Sequence, residues 1–218
     1  MNAATAVNAG KVRSINIAST SQAQSWSGSG NRTGINKQSV QGLIHFGPEG
    51  VVGDTVVDRK HHGGYDKAVY AYAVEDAKWW SEKLGREILP GAFGENLTTE
   101  GIDVTNAVIG ERWLIGDLLL EVAEPRIPCS VFAGFWDRRT LIKEFTEANR
   151  SGAYLRIIDE AMIEKGTAIS IVSRPEHGIT IADVFAARSG ERSKIAQIAH
   201  VAELSEDYRE WATKVLNS

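Results

Sequence analysis

The 218 residues include one cysteine, five prolines and two methionines, and the scarcity of cysteine narrows the field first. Cys129 alone closes no internal disulfide and supplies no cysteine set for an iron–sulfur cluster. No run approaches the roughly 18 to 20 apolar residues of a membrane-spanning helix, and MNAATAVNAGK at the N-terminus lacks the basic-then-apolar order of a secretion signal. These absences make the cytoplasm the default compartment and predict no membrane partner. Positive charge is not in excess either: 24 Lys and Arg face 28 Asp and Glu, for a net charge of −4 and a pI near 5.8. Surfaces that track phosphate backbones need a basic excess, so no nucleic-acid partner is expected and any anion site must be local. Nucleotide fingerprints are missing too. The glycines at 28, 30 and 34 in GSGNRTG do not follow G-x-G-x-x-G, and no Lys-Ser/Thr pair comes after them. No Ser-His-Asp order or nucleophile elbow can be picked out.

What is present is a 43% hydrophobic chain, enough to bury a core for one ordinary domain and a small appendage. Short apolar runs recur between glycine-rich turns from KVRSINIAS (11–19) to TAISIVS (167–173), with strands predicted at KAVYAYAV, ERWLIGDLLLEVAE and YLRIID. EDAKWWSEKLG predicts a helix ending at Gly85, and DRRTLIKEFTEANRSG another stopped near Gly152. In the first of these, Trp79 and Trp80 read as core residues. The helices punctuate the strands irregularly, which disfavours a doubly wound parallel sheet. A mainly β chain with helices (α+β), barrel-like, is the predicted class. Beyond SRPEHG, apolar residues from Ile181 to Leu216 fall at helical spacings, and Thr180-x-x-Asp183 forms a capping-box pattern. The chain thus divides into a domain over residues 11–175 and a three-helix module over 180–218. So small a module should pack on the main domain or mediate homodimer formation.

The chemistry-bearing residues sit in the turns. In EPRIPCSVF, two prolines stiffen the segment around Cys129, and Arg126 places a permanent cation nearby, favouring the thiolate that acts as nucleophile or soft metal ligand. DRKHHGGYDKAVY gathers Asp58, His61, His62, Asp66 and Lys67 around a Gly-Gly turn whose N–H groups can cradle an anion. A metal site built from Asp58, His61 and His62 is disfavoured, because adjacent histidines in an extended segment point to opposite faces. His45 and His177 stand alone and read as structural. PGAFGENLTTEG offers Glu95 and Asn96 on a bent backbone, and NRTGINKQSV adds Arg32, Thr33 and Lys37. Several donor-rich glycine turns with one mounted thiol suit an anionic, phosphate-bearing cofactor whose metal accepts one soft protein ligand.

TGINK, GVVGDTVVDRKHHGGYDKAVY, FGENLTTEG, IGERWLIGDLLLEV and PRIPC, in this order, resemble the MOSC domain, the C-terminal domain of molybdenum cofactor sulfurases. The likeness covers about residues 11–175, and the tail resembles the three-helix module of the YiiM-type bacterial members. It implies a β-barrel-like fold binding the pterin-based molybdenum cofactor (molybdopterin), with Cys129 as the thiolate on molybdenum. It also places Thr33, Lys37, His62, Lys67, Asn96 and Arg126 at the cofactor site, Arg126 and Lys67 being suited to phosphate. The chain departs from its relatives at Ser39, commonly proline, and at AEPR, where many carry Ser-Gln before Pro-Arg.

Two activities are expected, the first from the resemblance and the second from the lone thiol itself. One is reduction of N-hydroxylated compounds (hydroxylaminopurines, other N-hydroxylated bases or amidoximes), with electrons from a separate flavoprotein, since no flavin or haem motif is recognisable in the chain. The other is sulfur transfer through a persulfide on Cys129. A non-catalytic cofactor-binding role would use the same residues as the first.

Overall fold

A strand buried on both faces must alternate its side chains between two apolar environments, and VYAYA does so. In the computed structural model, which describes residues 7–27 and 31–218, this strand (Val69–Ala73) is buried throughout. Val69, Ala71 and Ala73 enter the main core, while Tyr70 and Tyr72 enter a second, aromatic one.

Seven strands close a barrel. They are β1 (Val7–Ile17), β2 (Val69–Ala73), β3 (Leu97–Glu100), β4 (Arg112–Ile115), β5 (Leu118–Pro125), β6 (Ala153–Asp159) and β7 (Ala168–Ser173). The ring runs β1-β7-β4-β5-β6-β2-β3 and returns to β1, with Gln38–Val40 added outside on β1. Every ring pairing is antiparallel except β2 with β3. Parallel neighbours need a crossover, and helix α2 (Val74–Leu84) lies within the connection. This helix ends as the sequence predicts, on Gly85 at φ 64°, a left-handed conformation that costs glycine little. Closure leaves no open edge in the ring itself.

The helices differ from expectation in three places. Arg59–His62 forms a one-turn helix, α1, where an extended segment was predicted. Cys129 caps a short helix, α3 (Ser130–Phe135), directly after the stiff proline segment. Helix α4 (Leu141–Ala148) stops on Asn149 at φ 53°, not on Gly152. Gly152 serves packing instead: a Cβ there would lie 2.6 Å from the Ala71 carbonyl oxygen and 2.8 Å from the Tyr70 ring. The start of β6 can therefore approach β2 closely. The aromatic core lies beneath these helices, with Trp80, Phe93, Phe132 and Phe145 all buried. Trp80 packs there as the sequence indicates, its ring centre 5.7 Å from that of Phe145.

The tail folds into α5 (Ile181–Arg188), α6 (Ile195–Ile198) and α7 (Glu206–Leu216). Thr180 and Asp183 form the reciprocal capping box, with bonds of 3.0 and 3.2 Å. Ile181, Val184, Ile198 and Leu204 share the barrel's apolar core. Arg156 of β6 donates to the Glu203 carbonyl at 2.7 Å and also pairs with Asp66 and Glu121. The tail is thereby seated on the barrel wall. No helix among the described residues is long and apolar enough to cross a membrane.

Candidate functional site

Pairing sets Ile15, near the C-terminal end of β1, beside Leu97 at the start of β3, Tyr70 of β2 beside Tyr154 of β6, and Pro125, which ends β5, beside Ala153 at the start of β6. A cavity of about 890 Å³ opens there. Thr33, Lys37, His62, Lys67, Asn96, Arg126 and Cys129 all line it, although the first and last are far apart in sequence. The loop carrying Thr33 packs tightly onto the segment near Thr55, because a Cβ on Gly34 would lie 1.9 Å from the Thr55 carbonyl oxygen. Of the glycines in GSGNRTG, 28 and 30 lie outside the described residues. Gly63 and Gly64 do not line the cavity. They turn the chain out of α1.

The three cations differ in what holds them. Lys37, 7% exposed, pairs with Asp54; Asn96 Nδ2 donates to the same carboxylate oxygen at 2.8 Å. Burial lowers the Lys37 pKa, against the opposing pull of Asp54. Lys67 pairs at 3.1 Å with Glu124, which is buried. Burial raises the Glu124 pKa, opposed by Lys67. A bulge in β5 between Val122 and Glu124 helps aim that carboxylate, setting Glu124 opposite Tyr154. Lys67 is thus already charge-compensated, and Arg126 stands apart. Arg126 is 4% exposed, has no carboxylate partner among the described residues, and leaves its Nη1 buried without a hydrogen-bond partner. Its guanidinium lies over Phe132 and Tyr70, 4.7 and 5.2 Å from the ring centres. Burial opposes its charge, but Tyr70, Tyr154 and Cys129 together raise the pKa. A buried, uncompensated cation is costly unless an anion completes it.

His62 and His61 separate on α1. His61 turns outward to Asp58, with its Nδ1 2.9 Å from the carboxylate, whereas His62 Nδ1 lies 2.9 Å from Tyr154 Oη. Burial and the nearby Arg126 push the His62 pKa down to about 4, so its ring is neutral at pH 7. Burial also raises the Tyr154 pKa to about 12, against the pull of Arg126. Glu95, flagged with Asn96, is a structural group: it accepts from the Gly91 and Phe93 amides and from the Thr98 hydroxyl at 2.6, 3.0 and 2.8 Å. Cys129 is a free, partly exposed thiol whose side chain makes no capping bond.

No group of three or more His, Cys, Asp or Glu among the described residues is placed to hold a metal ion. A metal beside Cys129 would therefore have to bring other ligands with it. An anionic cofactor carrying its own metal-binding atoms fits this donor set: one soft thiol, one uncompensated buried guanidinium, and amide and imidazole groups around them.

Sequence reasoning missed Asp54, Tyr154 and Glu124, and with them the cavity-lining residues Arg188, Tyr208 and Trp211 of the tail. Asp54 lies inside GVVGDTVVD, but its role depends on partners elsewhere in the chain.

The chain is a closed β-barrel in which a thiol and a buried cation line one cavity, with a helical module seated beside them. The chain belongs to the MOSC family, whose domain profile matches residues 58–170, and it is of the YiiM type. The uncharacterised protein YflK of Bacillus subtilis is 31% identical over 203 residues, 91% of this chain and 90% of its own. The crystal structure of YiiM from Geobacillus stearothermophilus superposes with a TM-score of 0.79 at 29% identity, covering 95% of this chain and 99% of that one. A Gibberella moniliformis protein described as a reductase is 34% identical over 145 residues, 65% of this chain but 26% of that longer protein.

Proposed function

We propose that the cavity binds the pterin-based molybdenum cofactor and that the protein reduces N-hydroxylated compounds to the corresponding amines or amidines. The observation that carries this reading is Arg126, a buried guanidinium with an unpartnered Nη1 in the cavity that Cys129 lines. Such a group is matched by a phosphate, which accepts two parallel N–H bonds from a guanidinium. Cys129 is the protein's thiolate ligand to molybdenum, and neutral His62 orients the bound group by a hydrogen bond, while Asn96, whose amide is engaged by Asp54, Asn16 and Tyr70, shapes the wall beside it. Lys37 and Lys67, each held by a carboxylate, set the field and shape of the site rather than neutralising the phosphate outright.

When bound, the cofactor supplies two-electron chemistry at a metal. The overall change balances as R–NHOH plus two electrons and two protons giving R–NH2 and water, with the N–O bond broken. The electrons come from a separate flavoprotein, and the protons from solvent entering the cavity. The residues of this chain bind and orient both molecules and limit the approach to a flat, polar substrate. The reductase relative supports this chemistry in general, without naming a substrate.

Molybdenum content, measured on wild-type and Cys129→Ala protein purified from a host that makes the cofactor, tests the reading. Near-stoichiometric metal in the wild type, falling at least about tenfold in the variant, together with loss of N-hydroxylated-base reduction, is the expected result. Because Cys129 is partly exposed and its side chain caps nothing, the fold should lose about 1 kcal/mol or less. Metal-free wild type carrying an added sulfur on Cys129 would replace reduction with sulfur transfer.

A further inference from the structure

The tail does more than cover the barrel. Arg188, which ends α5, and Tyr208 and Trp211 of α7 line the same cavity as Cys129. The guanidinium carbon of Arg188 lies 4.5 Å from the Trp211 ring centre and 5.7 Å from that of Tyr208. Tyr208 Oη donates to the Pro125 carbonyl at 3.3 Å, tying this cluster to the strand that leads into Arg126. Arg188 itself is exposed and has no ion pair among the described residues. Its charge is therefore neither buried for stability nor neutralised by a partner, yet two aromatic rings hold its position.

We propose that Arg188 is a specificity-determining residue for substrates with a flat heteroaromatic ring, and that Trp211 and Tyr208 position it. A guanidinium is planar and weakly hydrated, so it can rest on an aromatic ring with one face and stack on a nucleobase with the other. Its N–H edge then donates to ring nitrogens. An ammonium in the same place keeps the charge but loses the face. A small aliphatic N-hydroxylated compound has no ring to stack and gains little from the arrangement. This tail wall would make the chain prefer hydroxylaminopurine-like substrates over aliphatic amidoximes. The proposal rests on the N-hydroxylated-substrate reading above, but ring binding can be measured without turnover.

The test is calorimetric titration of the full-length protein, purified from a cofactor-making host and without an electron donor, using 6-hydroxylaminopurine and, for comparison, acetamidoxime. Arg188→Lys and Trp211→Ala should each raise the purine Kd about tenfold or more, while Trp211→Phe stays within about threefold of wild type and acetamidoxime affinity changes by less than about threefold throughout. Under turnover, KM for the purine should rise in Arg188→Lys with kcat little changed. Purine binding unaltered by Arg188→Lys, equal losses for both compounds, or no saturable purine binding by the wild type would overturn the proposal. Molybdenum content of the same samples reports separately on the cofactor. Metal-free protein with Arg188-dependent purine binding would sink the cofactor reading and keep the wall, whereas metal-loaded protein with Arg188-independent binding would do the opposite.

Discussion

Lys37 and Asn96 meet on a single carboxylate oxygen: Asp54 Oδ2 accepts from the Lys37 ammonium and, at 2.8 Å, from Asn96 Nδ2. The other Asp54 oxygen accepts from the Ala18 amide at 2.8 Å, which fixes the carboxylate to the chain just beyond β1. Two cavity-lining donors are thus held by one buried acid that does not itself line the cavity.

Removing that charge should be costly. Lys37 and Asp54 side chains are 7% and 6% exposed, so Asp54→Asn leaves a buried ammonium without its counter-charge. A loss of about 3 to 5 kcal/mol in chemical denaturation is expected, with much of it regained in Asp54→Asn/Lys37→Met. Additive losses in the double variant would show that the two side chains do not act as a pair.

Arg126 should behave in the opposite sense. Its guanidinium is buried with an unpartnered Nη1 and no carboxylate, so in cofactor-free protein Arg126→Met should be neutral or stabilising by up to about 2 kcal/mol. In protein from a cofactor-making host, the same variant should lose bound molybdenum. A fold weakened by several kcal/mol would mark Arg126 as a structural group.

His62 makes stability depend on pH. Its folded pKa, about 4, lies below the ordinary 6.5, so between those values the unfolded chain binds more protons than the folded one. The contribution of neutral His62 is present above pH 6.5, is lost as pH falls through that window, and levels off below about 4. Subtracting the denaturation profile of His62→Gln from that of wild type should isolate this acid-side loss from the opposing trends of Glu95 and Glu124, whose pKa values burial raises. A flat difference between pH 7 and 4 would place His62 in water.

The capping box offers a test of the tail alone. Thr180→Ala removes the hydroxyl that accepts from the Asp183 amide, and should cost about 1 kcal/mol. Because α5 packs against β5, the purine affinity proposed for Arg188 should fall with it if the helix shifts, and stay unchanged if it does not. Thermal denaturation and the calorimetric titration read the two effects separately.

The local patterns were the legible part. Alternation in VYAYA marks a strand, Gly85 a helix end, and Thr180 with Asp183 a cap, because each depends on residues a few positions apart. Asn149 and Gly152 show where this fails. Both adopt positive φ, and only the packing of β6 against β2 decides that the glycine serves the close approach while the asparagine ends the helix. The segment of His61 and His62, expected to be extended, is helical for a similar reason: Asp58 caps a single turn too short to give a periodic signal.

The sequence by itself determined the main strands, helices α2 and α4 and the three tail helices, the stiff mount of Cys129, and the set of turn residues rich in donors and cations. Only the tertiary structure decided which cations are free. Lys37 finds Asp54 and Lys67 finds Glu124 across the fold, and Arg126 finds no carboxylate among the described residues. It also decided that the tail would complete the cavity with Arg188 and Trp211. Charge pairing and burial depend on which distant segments barrel closure brings within a few ångströms, and local periodicity carries no record of that.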